Sequence, residues 1–394
     1  MNVLIANLGS TSLKYRLFDF SGNEERLVTR GGFERVEDYS GAVDACLGEL
    51  TEGGHIKSAA DLAAVGFKTV LADGVTGCVE LDASVLKAME AGNTVAPAHN
   101  PAYLTGVQVF SERMPNTPLV GLFETAFYQW IPETAKRYGV PSSWYEAGVR
   151  RWGFHGASHK FMAERSAELL GRDDVAERAR RLYVDGGKTS TVGANLRVIS
   201  CHLGGSSSIT GILNGVAVGN SMGMSPQSGL PNNNRVGDVD AFALLHMMRT
   251  KGLSVDEVEQ QLCSEAGLKG LSGGFNDLRD IQVQAEKGND SAQLAIDFLI
   301  HETRRWIGSY QLQLNGIDAL VFTAGIGENR SEIRAGICAE LDQLGIQLDV
   351  AKNEAAQGEE AEISSPDSKT KVFVIPTNEE LVVAREVKRF LENK

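Results

Sequence analysis

No apolar run in the 394 residues reaches the ~20 that a bilayer-spanning helix needs, which excludes an ordinary transmembrane segment. No basic region precedes the opening Met1-Asn2-Val3-Leu4-Ile5-Ala6, and polar Asn7 follows at once. The segment reads as a first β-strand, not a secretory leader. Positive charge is in short supply: 38 Lys and Arg stand against 51 Asp and Glu, a formal net charge of −13. That argues against a nucleic-acid binder, whose affinity comes from neutralising phosphates, but leaves room for a locally basic site. Cysteine is sparse too. Cys46, Cys78, Cys201, Cys263 and Cys338 make an odd count with no two at metal-ligand spacing. Buried thiols in a reducing, cytoplasmic setting are expected.

What is present is an ordinary globular composition, 42% hydrophobic and 23% charged, over a length that suits two domains. Val3–Ala6 and Tyr15–Phe18 predict short strands joined by Asn7-Leu8-Gly9-Ser10-Thr11-Ser12-Leu13-Lys14, a turn rich in glycine and hydroxyls. Val198–Cys201, Ala319–Phe322 and Val372–Ile375 predict buried strands. Helices are predicted over Ser158–Leu170, around Ala295–Tyr310, and from about Glu380 to Leu391, where Val383, Val387, Phe390 and Leu391 share a side. Lys352–Thr370 is polar, aperiodic and holds Pro366; it reads as a surface loop with some helix at its start. The first loop has an echo half a chain later. His202-Leu203-Gly204-Gly205-Ser206-Ser207-Ser208 also sits between two short apolar strands. Either this is coincidence, or a domain is duplicated and each half offers a hairpin loop. Two such loops facing each other would hold a polyphosphate from both sides through backbone N–H groups and hydroxyls.

Other segments could carry chemistry. Thr323-Ala324-Gly325-Ile326-Gly327-Glu328-Asn329 follows a strand as a Gly-rich turn before a helix, a usual nucleotide site in α/β proteins and equally a plain turn. Arg151-Trp152-Gly153-Phe154-His155-Gly156-Ala157-Ser158-His159 packs a cation, two aromatics and two imidazoles ahead of a helix; His155 could donate to a phosphoryl group or be a core histidine. Ala96–Pro101 is a proline-bracketed turn carrying His99, and Asn232–Asp238 a polar turn with one arginine, Arg235. Glu379 and Glu380 open the last helix, where acidic residues favour the helix dipole or ligate magnesium. Gly186-Gly187-Lys188-Thr189-Ser190 imitates a P-loop tail, but position 182 is Leu where the motif needs Gly.

Taken in order, Asn7–Lys14, Ala96–Pro101, Phe123–Tyr128, Arg151–His159, His202–Ser208, Asn276–Asp280, Thr323–Asn329 and Thr377–Glu380 resemble the acetate kinase family, nearly end to end. The resemblance implies a duplicated actin/sugar-kinase-like (ribonuclease H-like) two-domain α/β fold with the active site in the cleft. The domains would be 1–130 plus 381–394, and a nucleotide-binding, dimerisation domain over 131–380, in a homodimer. It implies a reversible transfer of the γ-phosphoryl group of ATP to a short-chain carboxylate, acetate or propionate, with Mg²⁺ or Mn²⁺. Asn7 and Glu379 would hold the metal, with Ser10, Ser12 and Lys14 beside the phosphates. Arg235 would bind the carboxylate, His155 the transferring group, and His99 would support the geometry. His202, Gly204, Gly205, Ser206 and Ser207 would cradle phosphates. Asp277, Arg279, Gly325, Ile326, Gly327, Glu328 and Asn329 would surround the adenosine. Val70, Phe154 and Pro226 would line the pocket for the acid's alkyl group.

Four positions depart from the family's usual pattern. Lys68 stands for an Arg, which keeps charge but loses a two-pronged grip. Glu124 stands for an Asp, moving the carboxylate ~1.5 Å in a site that feels such shifts. The Lys68 and Glu124 changes can compensate for one another. Gly205 replaces an Asn of the phosphate loop. Ala98 replaces a Leu that caps the alkyl pocket; a methylene there is worth ~1–3 kcal/mol, so longer acids gain. These departures keep two alternatives open: a kinase of this fold with another carboxylate or phosphoryl donor, and a catalytically weak nucleotide-binding protein.

Overall fold

The computed structural model describes residues 1–9, 11–22, 25–94, 100–187 and 193–394. The described residues form two six-stranded sheets. The first contains β1 (Asn2–Gly9), β2 (Ser12–Asp19), β3 (Arg26–Glu34), β4 (Leu62–Thr69), β5 (Cys78–Glu80) and β6 (Leu119–Phe123), ordered β3-β2-β1-β4-β6-β5. The second contains β7 (Arg197–His202), β8 (Ser208–Leu213), β9 (Val216–Asn220), β10 (Ala319–Thr323), β11 (Ala361–Glu362) and β12 (Lys371–Val374). Read from the matching edge, its order is β9-β8-β7-β10-β12-β11. Each sheet is an antiparallel meander of three strands, then two parallel strands, then an antiparallel edge. The echo between the two Gly/Ser loops is therefore the visible trace of a whole repeated sheet.

The parallel strands are apolar along their length because helices cover both faces; all five residues of β6 and of β10 are buried. The helix Gly156–Leu169 packs on the second sheet. The C-terminal helix Glu379–Glu392 returns to the first, lying over β1, β4 and β6, and also packs against Gly156–Leu169. Its apolar side (Val382, Val383, Val387) joins Val3, Ile5, Ala64, Val120 and Ala157 in one cluster between the sheets. Gly66 permits this approach: a Cβ there would lie 2.7 Å from Ile5 and 2.8 Å from Val387. Phe127 and Tyr128 already pack with Val198 and Val321 of the second sheet, so the chain crosses over directly after β6.

Two local expectations change. Ala324–Asn329 is not a turn before a helix but a helix itself, leaving β10 at Ala324 with φ of 64°. The stretch 352–370 contains the edge strand β11, and the helix at its start is Val350–Ala355. Among the described residues no helix is long and apolar enough to cross a membrane.

Candidate active site

The two hairpin loops meet at one cavity of about 310 Å³. The first sheet contributes Asn7, Leu8 and Gly9 from the end of β1, Lys68 and Val70 around the end of β4, and Glu124 just after β6. The second contributes His202 and Ser206. Phe154, His155, Pro226, Arg235, Tyr103 and Glu379 complete the lining. The ends of parallel strands carry half of these groups, as open α/β sheets do where their connections diverge.

Charge in the cavity is organised around Lys68. Its ammonium lies 2.6 Å from Glu379 Oε2 and 3.1 Å from Glu124 Oε1. Burial opposes that charge, but the two carboxylates outweigh it and keep the lysine protonated well above its usual range. Burial likewise opposes charge on Glu379, and Lys68 outweighs it, holding the carboxyl below its usual range. The other Glu124 oxygen accepts the backbone N–H of His155 at 2.6 Å. The lengthened acid and the shortened cation thus meet, which gives the compensation between positions 68 and 124 a geometric form. Arg235 differs from Lys68. Its guanidinium donates only weakly, at 3.4 Å, to the Pro226 carbonyl and the Gln227 amide oxygen, and no carboxylate pairs with it among the described residues. Burial lowers its pKa from so high a start that it stays charged.

His155 caps the helix Gly156–Leu169 in a left-handed conformation, φ 58° and ψ 33°. The following Gly156 is needed because a Cβ would collide with the Glu124 carbonyl oxygen. The His155 ring stacks on His202 with centroids 4.1 Å apart. Its Nδ1 is 2.7 Å from Ser208 Oγ, which also lies 2.8 Å from His159 Nε2, while His159 Nδ1 is 2.8 Å from Ser200 Oγ. His202 Nδ1 contacts Ser158 Oγ at 2.8 Å. Burial, reinforced by the neighbouring rings and by Lys68 and Arg235, drives His155 well below the ordinary histidine range; burial does the same to His159 and lowers His202. All three rings are therefore neutral at neutral pH.

A second cavity of about 430 Å³ lies beside the first, lined by Gly204, Gly205, Asn233, Asp277, Leu278, Arg279, Gly325, Ile326, Asn329 and Arg330. Asp277 caps the helix Leu278–Glu286 and pairs with Arg279 at 2.6 Å. A Cβ on Gly205 would touch the Asn233 carboxamide at 3.3 Å, and the Asn233 N–H donates to the Gly205 carbonyl. The amide absent at Gly205 is thus present next to it, on Asn233, whose Oδ1 is buried without a partner among the described residues.

Several sequence-predicted residues lie elsewhere. Lys14 pairs with Glu34 at 3.1 Å in a separate groove with Arg16 and Arg30, and with Ser12 it lines neither cavity. Ser207 turns its hydroxyl back onto Gly204, and its N–H donates to Asn232 Oδ1, so it braces the loop rather than facing a cavity. Gly327 donates its N–H to the Leu203 carbonyl, and Glu328 accepts from the N–H groups of Ala324 and Thr377; both work inward. Ser10, Ala98 and His99 fall outside the described residues. Tyr103, Leu8, Asn233, Leu278 and Arg330 were not foreseen. Tyr103 lies one turn into the helix Asn100–Arg113, directly after the proline-bracketed segment, and its hydroxyl donates to Asn7 Oδ1 at 2.9 Å.

Among the described residues no three His, Cys, Asp or Glu cluster as a metal cage. Glu379 Oε1, however, is buried with no partner among the described residues, and Glu379 lines the same cavity as Asn7. Two oxygen donors beside a phosphate site fit a hard cation that keeps several waters.

The acetokinase family description matches residues 33–385. The acetate kinase of Carboxydothermus hydrogenoformans is 38% identical over the full length of both chains, and that of Clostridium botulinum strain Kyoto is 38% identical over 98% of this chain and 99% of its own. Among solved structures, Porphyromonas gingivalis acetate kinase superposes with a TM-score of 0.86 at 33% identity, covering 99% of each chain. A propionate kinase from Francisella tularensis superposes with 0.84 at 29%, covering 98% of each.

Proposed function

The chain belongs to the acetokinase family, and from that premise we propose that it transfers the γ-phosphoryl group of ATP to a short-chain carboxylate, acetate or propionate, giving ADP and an acyl phosphate, reversibly. The observation that carries this reading is Arg235, a half-buried guanidinium with no carboxylate partner among the described residues, in a cavity also lined by Val70, Phe154 and Pro226. A carboxylate on Arg235 would lay its alkyl group on that apolar wall. The second cavity would take the nucleotide, with its phosphates running over Gly204–Ser206 toward His155.

Phosphoryl transfer asks for positioning and charge neutralisation more than covalent help. Arg235 neutralises the acceptor. One hydrogen-bond direction, Ser200 to His159 to Ser208 to His155, leaves every ring neutral and puts the His155 proton on Nε2, free to donate to an equatorial phosphoryl oxygen. Asn7 and Glu379 would hold Mg²⁺ or Mn²⁺, which when bound supplies further neutralisation of phosphate charge. Lys68 keeps the Glu124 and Glu379 carboxylates from repelling the incoming phosphate.

We further propose a cytoplasmic homodimer, with the two domains as 1–130 plus 381–394 and 131–380. The helix Ala241–Lys251 and its surroundings leave Phe242 73% and Val255 66% exposed, an apolar surface suited to a second copy. Light scattering tests the dimer. Hydroxylamine trapping of acyl phosphate from Mg-ATP with acetate, propionate, butyrate or no acid tests the chemistry. Product with acetate or propionate is expected. Folded protein that binds ATP but makes no product with any acid would refute the proposal.

A further inference from the structure

The ammonium of Lys160 and the carboxylate of Glu386 meet at 2.6 Å with both side chains 1% exposed. Few ion pairs in the chain are so completely withdrawn from water. Lys160 belongs to the helix Gly156–Leu169, which covers the second sheet; Glu386 belongs to the C-terminal helix, which covers the first. The pair is therefore a bond between the two halves of the molecule.

Each helix also begins at the cavity. His155 caps the first, and Glu379 is the first residue of the second. At 1.5 Å per residue, Lys160 lies ~8 Å behind His155 along its helix and Glu386 ~10 Å behind Glu379. Small residues, Ala157 and Ala384, lie in the same apolar cluster and let the helices come close. Arg389 donates to Glu386 from the outer side, and Arg385 ties the C-terminal helix to Glu164 at 3.0 Å. The apolar contact would hold the helices together without these charges, but apolar contacts slide. A buried, hydrogen-bonded ion pair does not, because a small displacement leaves two charges unpaired in a low dielectric.

Resting on the function proposed above, we propose that Lys160 and Glu386 are positioning residues that set the register of the two helices, and through it the placement of Glu379 against His155 across the transferring phosphoryl group. Stability alone does not account for the pair, since well-packed apolar residues in place of a buried ion pair are often neutral or stabilising.

The test is the double variant Lys160→Met with Glu386→Leu, which keeps volume and removes both buried charges together, leaving Arg389, whose side chain is 20% exposed, to turn to water. It should fold, with a melting temperature at or above that of the unaltered protein. Its kcat should fall at least tenfold while its KM for ATP stays within about twofold, because the nucleotide cavity belongs to one half only. A crystal structure gives a readout that needs no turnover. Superposed on the second sheet, Glu379 should be displaced by more than about 0.5 Å, the tolerance of a productive site. An unmoved Glu379, or kcat within about twofold of the unaltered protein, would overturn the proposal. Should the double variant not fold, Lys160→Arg with Glu386→Asp keeps the buried charges and alters only their geometry; the same fall in kcat is expected and an unchanged kcat overturns the idea. If the unaltered protein makes no acyl phosphate, the proposed function falls, and the displacement of Glu379 alone decides on Lys160 and Glu386.

Discussion

Shortening Glu124 to Asp should be far more harmful by itself than in company with Lys68→Arg. In the structure Glu124 reaches Lys68 at 3.1 Å with one oxygen and the His155 N–H at 2.6 Å with the other. Glu124→Asp withdraws the carboxylate by ~1.5 Å, so the pair opens to ~4.6 Å; at an effective dielectric of ~20 that forfeits about 2 kcal/mol. The hydrogen bond to His155 adds a further ~1.5–3 kcal/mol, since one partner is charged. A single substitution should therefore lower kcat/KM by about 400- to 5,000-fold. Lys68→Arg alone pushes a larger cation against a carboxylate already in contact and should also be damaging. Together, the longer, two-pronged guanidinium can span the gap to the retracted carboxylate while keeping Glu379. A double-mutant cycle on kcat/KM, with urea unfolding in parallel, should yield a favourable coupling of at least ~1.5 kcal/mol. Additive effects, within ~0.5 kcal/mol, would refute the idea that the two departures compensate.

Arg235→Ala should cut turnover by about 10²–10³ with the melting temperature little changed; near-normal turnover would remove this residue from the chemistry. Asn233→Ala should raise the KM for ATP about five- to tenfold and leave that for the carboxylate alone, as loss of one phosphate-side hydrogen bond would; an unchanged KM would mean that Asn233 does not serve for the amide missing at Gly205. Ala98→Leu should move the acetate-to-propionate ratio of kcat/KM toward acetate by about tenfold, and an unmoved ratio would take position 98 out of the pocket. His155, His159 and His202 all have folded pKa values depressed below the unfolded value of ~6.5, so below that pH the unfolded chain binds protons the folded one refuses. Stability is full above ~6.5 and falls as pH drops toward the folded values, by up to ~1.4 kcal/mol per pH unit for each ring; a melting temperature that stays flat from about pH 8 to about 5.5 would refute the burial of neutral rings.

Much of the fold was legible because it is written in local terms. β1, β2, β7, β10 and β12 are short apolar runs between polar or glycine-rich turns, and the likeness of the first and second loops reported the duplication. The lining of the two cavities was legible where a motif lies on one loop, as at Arg235, His155 and Gly204–Ser206. It was not legible where tertiary approach decides. Asn233 reaches the second cavity because its backbone bonds to Gly205, and Tyr103 the first because its helix brings its hydroxyl to Asn7; neither spacing exists in one dimension. Lys14 lines neither cavity for a related reason. It lies opposite Asn7 in the β1–β2 register, yet its ammonium runs outward to Glu34. The stretch Ala324–Asn329 has the glycines of a turn but closes directly into helix, with Glu328 accepting the Ala324 N–H.

The return of the last helix to the first sheet also orders events in time. Val3, Ile5, Ala64 and Val120 are synthesised more than 250 residues ahead of their cover, Val382, Val383 and Val387. A nascent chain can pair β1 with β2 and β4 yet lacks the valines that cover that face until the helix Glu379–Glu392 is made. The first sheet must then wait, with apolar surface open, while the whole second sheet is made. A chain cut after Asn378 would keep every strand described in either sheet, but it would make that interval permanent.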